Sequence, residues 1–288
     1  MHLEELHWFV VLAETEHVTE AAAELRITQP TLSRALARLE SDVGAPLFDR
    51  VHRRLRLNPC GEVLLEHARR CLAEMRSASE RIAALRDPDS GTVRLAFLHS
   101  LASWYVPDVL RRFRFEAAQV DFSLYQGPAH DITRRVLDGL ADLAITSPQP
   151  RADDFGWHPL YAEQLCLVVP RGHRLAGSAR LRLAQVAEEP FIALGEGFGL
   201  RQLTDELCAQ EGIDPRIGFE AAEIPTLEGL VAAGFGVAVV PVPRPGRGEP
   251  TAVYIPLAHP QANRDIGAAW ALGRALPPAA ERFLDFLR

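Results

Sequence analysis

The stretch Val18–Asp42 constrains the fold of this chain more than any other segment. Its pattern predicts two short helices joined by a tight turn. Thr19 is the predicted N-cap of the first helix, which runs through an alanine triplet to Leu25. Thr28 is the predicted N-cap of the second helix, and Pro30 falls in its first turn, where a missing N–H costs little.

The second of these helices has two different faces. Leu32, Leu36 and Leu39 recur at helical spacing and predict a buried stripe. The opposite face is polar at its start and basic further on, which suits the major groove of DNA. An ordinary helical hairpin with a solvated arginine face is the alternative. The polar face consists of Gln29, Thr31, Ser33, Arg34 and Arg38.

Both flanks of this helix pair add elements. Downstream, Asp49–Asn58 is short, basic and alternating, and predicts a β wing. From Arg26 to Arg56 seven arginines stand against three acidic residues, although the net charge of the whole chain is -7. A basic patch on an acidic protein favours DNA binding at one surface. Upstream, a third helix is predicted by the spacing of Leu3, Leu6, Phe9, Val10 and Ala13.

With its flanks included, this segment resembles the N-terminal domain of LysR-type transcriptional regulators. The resemblance is carried by Phe9, Ala13, the run from Gln29 to Ser33, Leu47-Phe48 and Gly61. It implies a winged helix-turn-helix domain over residues 1–58 that binds double-stranded DNA at an inverted-repeat operator. The predicted DNA-binding residues are Gln29, Pro30, Thr31, Ser33, Arg34, Arg38, Arg50, Arg53 and Arg54.

A long helix is predicted after Pro59, within a linker at residues 59–91. Its apolar residues alternate spacings of four and three, and its outer positions are charged, which is typical of a coiled-coil seam. We interpret it as a dimerisation helix, and the resemblance implies the same; packing on its own domain is the alternative. The seam consists of Leu64, Ala68, Cys71, Met75, Ala78, Ile82 and Leu85.

From Thr92 onward short apolar strands alternate with amphipathic helices, which favours parallel α/β sheets. The resemblance to LysR-type regulators continues here through Asp142–Ile145, Val169-Pro170 and Val231–Gly234. It implies a periplasmic-binding-protein-like domain at 92–288 with two Rossmann-like halves. The first half would comprise about 92–162 and 268–288, and the second about 163–267. The resemblance also implies that dimers pair into tetramers, and RNA polymerase is a further expected partner.

A ligand site is predicted where strands end and helices begin. His99-Ser100, Thr146-Ser147 and the glycine-rich run around Phe198 all follow predicted strands, and free amides at helix starts favour an anionic group. We therefore expect an unidentified small-molecule effector, such as a carboxylate. Ser100 could instead be a plain N-cap, Phe198 a core residue and Glu196 an exposed glutamate. The predicted effector-binding residues are His99, Ser100, Ala129, Thr146, Ser147, Glu196 and Phe198.

Other functions fit the sequence less well. HExxH, GxSxG and Walker-type motifs are absent, so we expect no enzyme, no cofactor and no metal. A constitutive architectural DNA binder would leave the large C-terminal domain without a role. The acidic N-terminus lacks the basic region of a secretory signal, and no apolar run is long enough for a bilayer, so we expect a cytoplasmic protein.

The four cysteines are widely spaced, which excludes the usual zinc spacings. Peroxide-sensing members of the family use a reactive and a resolving cysteine. By the resemblance, Cys208 matches the resolving position, while Gly199 stands where the reactive cysteine would be. We therefore predict that this protein is not a thiol switch.

Overall fold

A computed structural model of the protein describes residues 2–51, 54–84, 86–87, 89–244 and 251–288. The chain divides into two compact units. The first comprises the chain up to Asp87 together with Leu137–Leu140, and the second comprises the remainder, up to Arg288. Each unit has its own hydrophobic core.

The first unit contains the predicted helix pair. Thr28 caps the second helix as predicted, and its hydroxyl accepts a hydrogen bond from the Thr31 N–H at 3.4 Å. The predicted cap at Thr19 is wrong, because the first helix of the pair starts at Val18 and His17 is its N-cap residue. The elements are α1 (Leu3–Thr15), α2 (Val18–Glu24), α3 (Gln29–Val43), β1 (Phe48–Val51), β2 (Arg54–Leu57) and α4 (Pro59–Ala84).

Three helices and the wing enclose the core of the first unit. Leu32 and Leu39 of α3 are fully buried, whereas Leu36 is only half-buried. Phe9 of α1 meets Phe48 edge to face, with ring centroids 5.7 Å apart. The strands β1 and β2 pair antiparallel as the predicted wing. The inner stripe of α3 is thus held against α1, and its polar stripe is left outside.

The helix α4 runs 26 residues, and its predicted seam is not uniform. Ala68 is 1% exposed and belongs to the core of its own unit, so its side chain leaves no surface for a second chain. Leu64 is half-buried against the same core, so this part of α4 packs on its own domain, as the alternative interpretation had it. Cys71, Met75, Ala78 and Ile82 are exposed, while Leu85 lies outside the described residues.

The second unit alternates strands and helices. The pattern from Ser100 to Phe115 predicts a helix with a kink or restart at Pro107; the helix starts at Tyr105, so Pro107 lies in its first turn. A short 3-10 turn, His99–Leu101, precedes that helix. The elements are β3 (Gly91–Leu98), α5 (Tyr105–Glu116), β4 (Val120–Gly127), α6 (Ala129–Leu137), β5 (Leu143–Thr146), β6 (Phe155–Val169), β7 (Phe191–Leu194), α7 (Gly199–Gln210), β8 (Ile217–Ala221), α8 (Ile224–Ala232), β9 (Ala238–Pro241), β10 (Val253–Pro256), β11 (Asn263–Ala271) and α9 (Pro278–Leu287).

The sheets of this unit are mixed, whereas the alternation of strands and helices predicted parallel ones. The strand β3 pairs parallel with β4 and β5, and β7 pairs parallel with β8. However, β11 runs antiparallel between β5 and β6, and β9 and β10 pair antiparallel with the end of β6. The antiparallel pairs arise because β6 leaves the first sheet and β11 returns to it.

Two cores divide the second unit into halves, which we call half I and half II. Half I packs aromatic rings of α5, β4 and α9, with Phe113 and Phe283 at 5.0 Å between centroids. Half II is aliphatic, built on the end of β6 and on β7 and β9. A helix over Asp131–Leu140, as the sequence pattern predicts, would turn Leu137 and Leu140 inward. Instead α6 ends at Leu137, so Leu137 is 37% exposed and Leu140 is half-buried.

Candidate functional site

The outer face of α3 carries the predicted DNA-reading side chains. Gln29, Pro30, Ser33 and Arg34 are exposed, and Thr31 is half-buried beside its cap. Arg34 donates from Nε to the Pro30 carbonyl at 3.3 Å, which keeps its side chain along the helix. The face therefore presents amide, hydroxyl and guanidinium groups in two successive turns.

Arg38, one turn further along, is held by a carboxylate that sequence reasoning missed. Its Nε donates to Oε1 of Glu5 at 2.9 Å, and Glu5 is 6% exposed. This hydrogen bond lowers the pKa of the Glu5 carboxyl. Arg38 is thus fixed toward α1, and its charge is largely compensated before any phosphate approaches.

The wing contributes backbone geometry that the sequence anticipated. Phe48 faces Leu57 in the register, and Asp49 faces Arg56. Among the arginines predicted to bind DNA, Arg53 lies outside the described residues, and for Arg50 and Arg54 only the strand backbone is described.

A cleft between half I and half II brings together most of the predicted ligand residues. It holds a cavity of about 480 Å³ and an adjoining one of about 30 Å³. His99 and Ser100 line both cavities, while Ser147 and Phe198 line the smaller one. The His99 and Phe198 rings face each other across the two halves, with centroids 6.0 Å apart. Ala129, Thr146 and Glu196, also predicted to bind effector, line neither cavity.

Two hydroxyls at the end of β5 are buried without hydrogen-bond partners. Thr146 is fully buried and Ser147 is 1% exposed, and neither side-chain oxygen has a partner among the described residues. Nδ1 of His99 is likewise buried and unpartnered. Such groups are rare in folded proteins because burying a polar atom without a partner costs free energy. They mark this part of the cleft as a place where a polar ligand would be stabilised.

The first turn of α7 packs directly against these hydroxyl-bearing residues. A Cβ on Gly199 would lie 2.1 Å from the carbonyl oxygen of Ser147, so only glycine allows this approach. The first N–H groups of a helix have no acceptor within it, and they favour a negative charge. Ser147, with its unpartnered hydroxyl, and the start of α7 therefore converge on the smaller cavity.

A buried ion pair, also missed from the sequence, lies where the two cavities adjoin. Arg264 is 3% exposed and lines both. Its Nε donates to Oε2 of Glu163 at 3.0 Å, and its Nη2 donates to the Ser100 hydroxyl at 3.0 Å. The strand register explains the pair, since Glu163 on β6 lies opposite Arg264 on β11. The only signal in the sequence was the single charge of Glu163, two residues before the apolar run that starts at Leu165.

Similarity to known proteins identifies the family of this chain. Residues 3–62 match the bacterial regulatory helix-turn-helix protein family, lysR type, and residues 86–288 match the LysR substrate binding domain. The chain belongs to the LysR family of transcriptional regulators. It is 38% identical over 287 residues to the uncharacterised HTH-type transcriptional regulator YybE of Bacillus subtilis, covering 100% of this chain and 98% of YybE.

A further full-length relative and a solved effector-binding domain are also similar to this LysR-type regulator. The transcriptional dual regulator GltC of Bacillus subtilis is 34% identical over 289 residues, covering 100% of this chain and 96% of GltC. The effector-binding domain of QuiR, solved in complex with shikimate, is 27% identical, with a TM-score of 0.64 over 69% of this chain and 95% of that domain. The chain is thus a DNA-binding regulator with an effector-binding domain, in a family of regulators rather than enzymes.

The two buried thiols of this regulator, Cys166 and Cys208, are poorly reactive. Burial raises the pKa of Cys166 to about 12 and that of Cys208 to about 11. The contact of Gly199 with Ser147 leaves no room for a cysteine side chain at that position. The described residues contain no cluster of three histidine, cysteine or carboxylate side chains suited to a metal ion. In the same part of the chain, no helix has the length and apolar character needed to cross a membrane.

Proposed function

We propose that this LysR-type regulator binds an inverted-repeat operator through α3. A small carboxylate that enters the cleft would change the affinity for that operator. The observation that carries the sensing part is the buried, unpartnered hydroxyl of Ser147, a residue that lines the smaller cavity beside the start of α7. A carboxylate there would accept hydrogen bonds from the Ser147 hydroxyl and from the helix amides.

For the DNA part, the support is the exposed polar face on the first two turns of α3. Gln29 and Ser33 offer hydrogen-bonding groups of the length that reaches base edges, and Arg34 offers a bidentate donor for guanine. The wing strands β1 and β2 would lie beside the adjacent phosphates.

Assembly would use the exposed end of α4. Met75 and Ile82 are 51% and 62% exposed, and with Cys71 and Ala78 they leave an apolar strip on a helix whose other faces are charged. Pairing two copies along this strip places two recognition helices on the two half-sites. Tetramers would form from such dimers, and RNA polymerase would contact the bound assembly.

Changing Met75 and Ile82 together to glutamate tests the assembly. The double variant would bury unpaired charges in the dimer contact, so we expect monomers by light scattering and lost operator affinity. Glu74 and Arg81 lie on the same helix outside the strip, and Glu74→Gln with Arg81→Gln is the matched control. An unchanged oligomer in the first variant would refute pairing through α4.

Thermal shift with small carboxylates tests the sensing part. We expect at least one compound between acetate and adipate to raise the melting temperature and to change operator affinity in a gel shift. Replacing Ser147 by alanine should weaken that response, since it removes a hydroxyl facing the smaller cavity. A ligand response that Ser147→Ala leaves intact would place the carboxylate elsewhere.

A further inference from the structure

The two cavities of the cleft are continuous in their lining. His99, Ser100, Glu223 and Arg264 face both of them, so a single ligand can extend from one to the other. The smaller cavity is about the size of one polar group, and the larger one falls in the range that holds a whole small molecule. The larger cavity therefore decides what the rest of the effector must be.

One carboxylate in the larger cavity is shared by two guanidinium groups. Glu163 receives Arg264 on Oε2, as described above, and Nη2 of Arg244 lies 3.5 Å from its Oε1. This triad has one positive charge in excess. A second anionic group from a ligand would restore the balance of two cations and two anions.

Arg264 is a fixed donor in this triad. Its Nε and Nη2 are engaged by Glu163 and Ser100, whereas its Nη1 makes no hydrogen bond to a described residue. Because the guanidinium is 3% exposed and held on two sides, a ligand pays little entropy to use the remaining donor.

Arg244 is the adjustable partner. Its guanidinium carbon lies 3.0 Å from the ring centroid of Trp104, and its side chain is 48% exposed. The larger cavity is also lined by the polar Ser103 and Gln126, but it has an apolar wall that suits a short carbon chain. That wall consists of Ala102, Ile224, Pro225, Pro241, Val242 and Pro243.

We propose that the effector is a small dicarboxylate that spans both cavities. One carboxylate would lie at the start of α7 beside Ser147, and the other would lie between Arg264 and Arg244, with the chain along the apolar wall. This inference rests on the sensing role proposed above. Glu223 is the one further acidic residue among those lining the cavities. It is the N-cap residue of α8 and makes no side-chain cap hydrogen bond, but the positive end of the helix dipole offsets part of its charge, which disfavours a cationic end on the ligand.

Isothermal calorimetry of the full chain with three matched series tests the proposal. The dicarboxylates are succinate, glutarate and adipate; the monocarboxylates are butyrate, pentanoate and hexanoate; the zwitterions are 4-aminobutyrate, 5-aminopentanoate and 6-aminohexanoate. We expect one dicarboxylate to bind at least about tenfold more tightly than the monocarboxylate of the same length, the scale of a charged hydrogen bond.

Arg244→Gln locates the second carboxylate, and Arg264 is left unchanged because its loss could unfold the domain. The variant should remove the advantage of the dicarboxylate and leave monocarboxylate affinity unchanged. Arg180→Gln, an exposed arginine in half II that does not line the cavities, is the matched control. Binding should also change tryptophan fluorescence in the native protein but not in Trp104→Phe.

The remaining outcomes separate this inference from the sensing role. Equal binding of monocarboxylates and dicarboxylates, insensitive to Arg244→Gln, overturns the spanning dicarboxylate but leaves a carboxylate sensor. Tighter binding of a zwitterion, lost in Glu223→Gln, overturns it in favour of an amino acid. If none of the nine compounds binds, both the dicarboxylate and the carboxylate-sensing role are overturned.

Discussion

The polar face of α3 and the cleft of the effector-binding domain are built in opposite ways. The face uses one helix, and its side chains from Gln29 to Arg38 mostly project into solvent. The cleft joins residues as far apart as Ser100 and Arg264, and its ion pair is buried. The first can therefore change what it binds without changing stability, whereas in the second, binding and folding depend on the same contacts.

Arg264→Ala should give the largest effect if the cleft is coupled to folding in this way. The change leaves the carboxylate of Glu163 largely buried, with only Arg244 nearby, so we expect the second unit to lose about 3 kcal/mol of stability. Urea unfolding followed by circular dichroism measures it. The double change with Glu163→Gln should recover part of the loss, and a variant as stable as the native protein would show that the pair is dispensable.

Arg34→Ala should leave stability unchanged and affect DNA alone. Loss of a base contact costs about 1–3 kcal/mol, so operator affinity should fall about tenfold to a hundredfold in a gel-shift titration. Arg114→Ala, an exposed arginine on α5, serves as the control. Normal operator binding by Arg34→Ala would show that another face of the first unit reads DNA.

Thr28→Ala should affect both stability and DNA binding, because the Thr28 cap stabilises α3, which carries the polar face. Loss of an N-cap typically costs about 1 kcal/mol, so amide exchange at Thr31 should accelerate and operator affinity should fall slightly. Thr15→Ala removes a hydroxyl that bonds within α1 and does not cap a helix start. Equal effects of the two changes would argue against a special role of the cap.

Arg56→Ala should have the smallest effect. Arg56 is exposed on β2 and would neutralise one phosphate, so its removal should weaken binding to all sequences alike and reduce the salt slope by about one unit. Affinities measured at several salt concentrations for operator and for random DNA provide the test. A loss confined to the operator would mean that the wing reads bases.

The helix-turn-helix was predictable because its determinants are local. Caps, a 3.6-residue period and a charge pattern lie within one short stretch, and the polar face follows from the same period. Thr19 misled only because threonine is a common N-cap residue, whereas α2 starts before it at Val18. Even there the helix itself was expected, and only its first residues were wrong.

The cleft was only half predictable for the opposite reason. Strand ends pointed to Ser100, Thr146 and Ser147, but nothing local marked Arg264 as the partner of Glu163. Their pairing depends on the register of two antiparallel strands that are 101 residues apart in sequence. The first ten residues of β6 carry no strand signal in the sequence either, because they are mostly half-buried and form no apolar run.

The course of β6 and β11 makes half II an insertion within half I. The chain leaves half I after Glu163 and re-enters it at Arg264, and these two residues are register neighbours. The two junctions therefore lie about 5 Å apart, the spacing of adjacent strands. A two-residue hairpin turn closes such a gap. With half II replaced by such a turn, half I would be a contiguous module. A different half II, with a different ligand preference, could also be inserted as one segment without altering the order of any strand outside it.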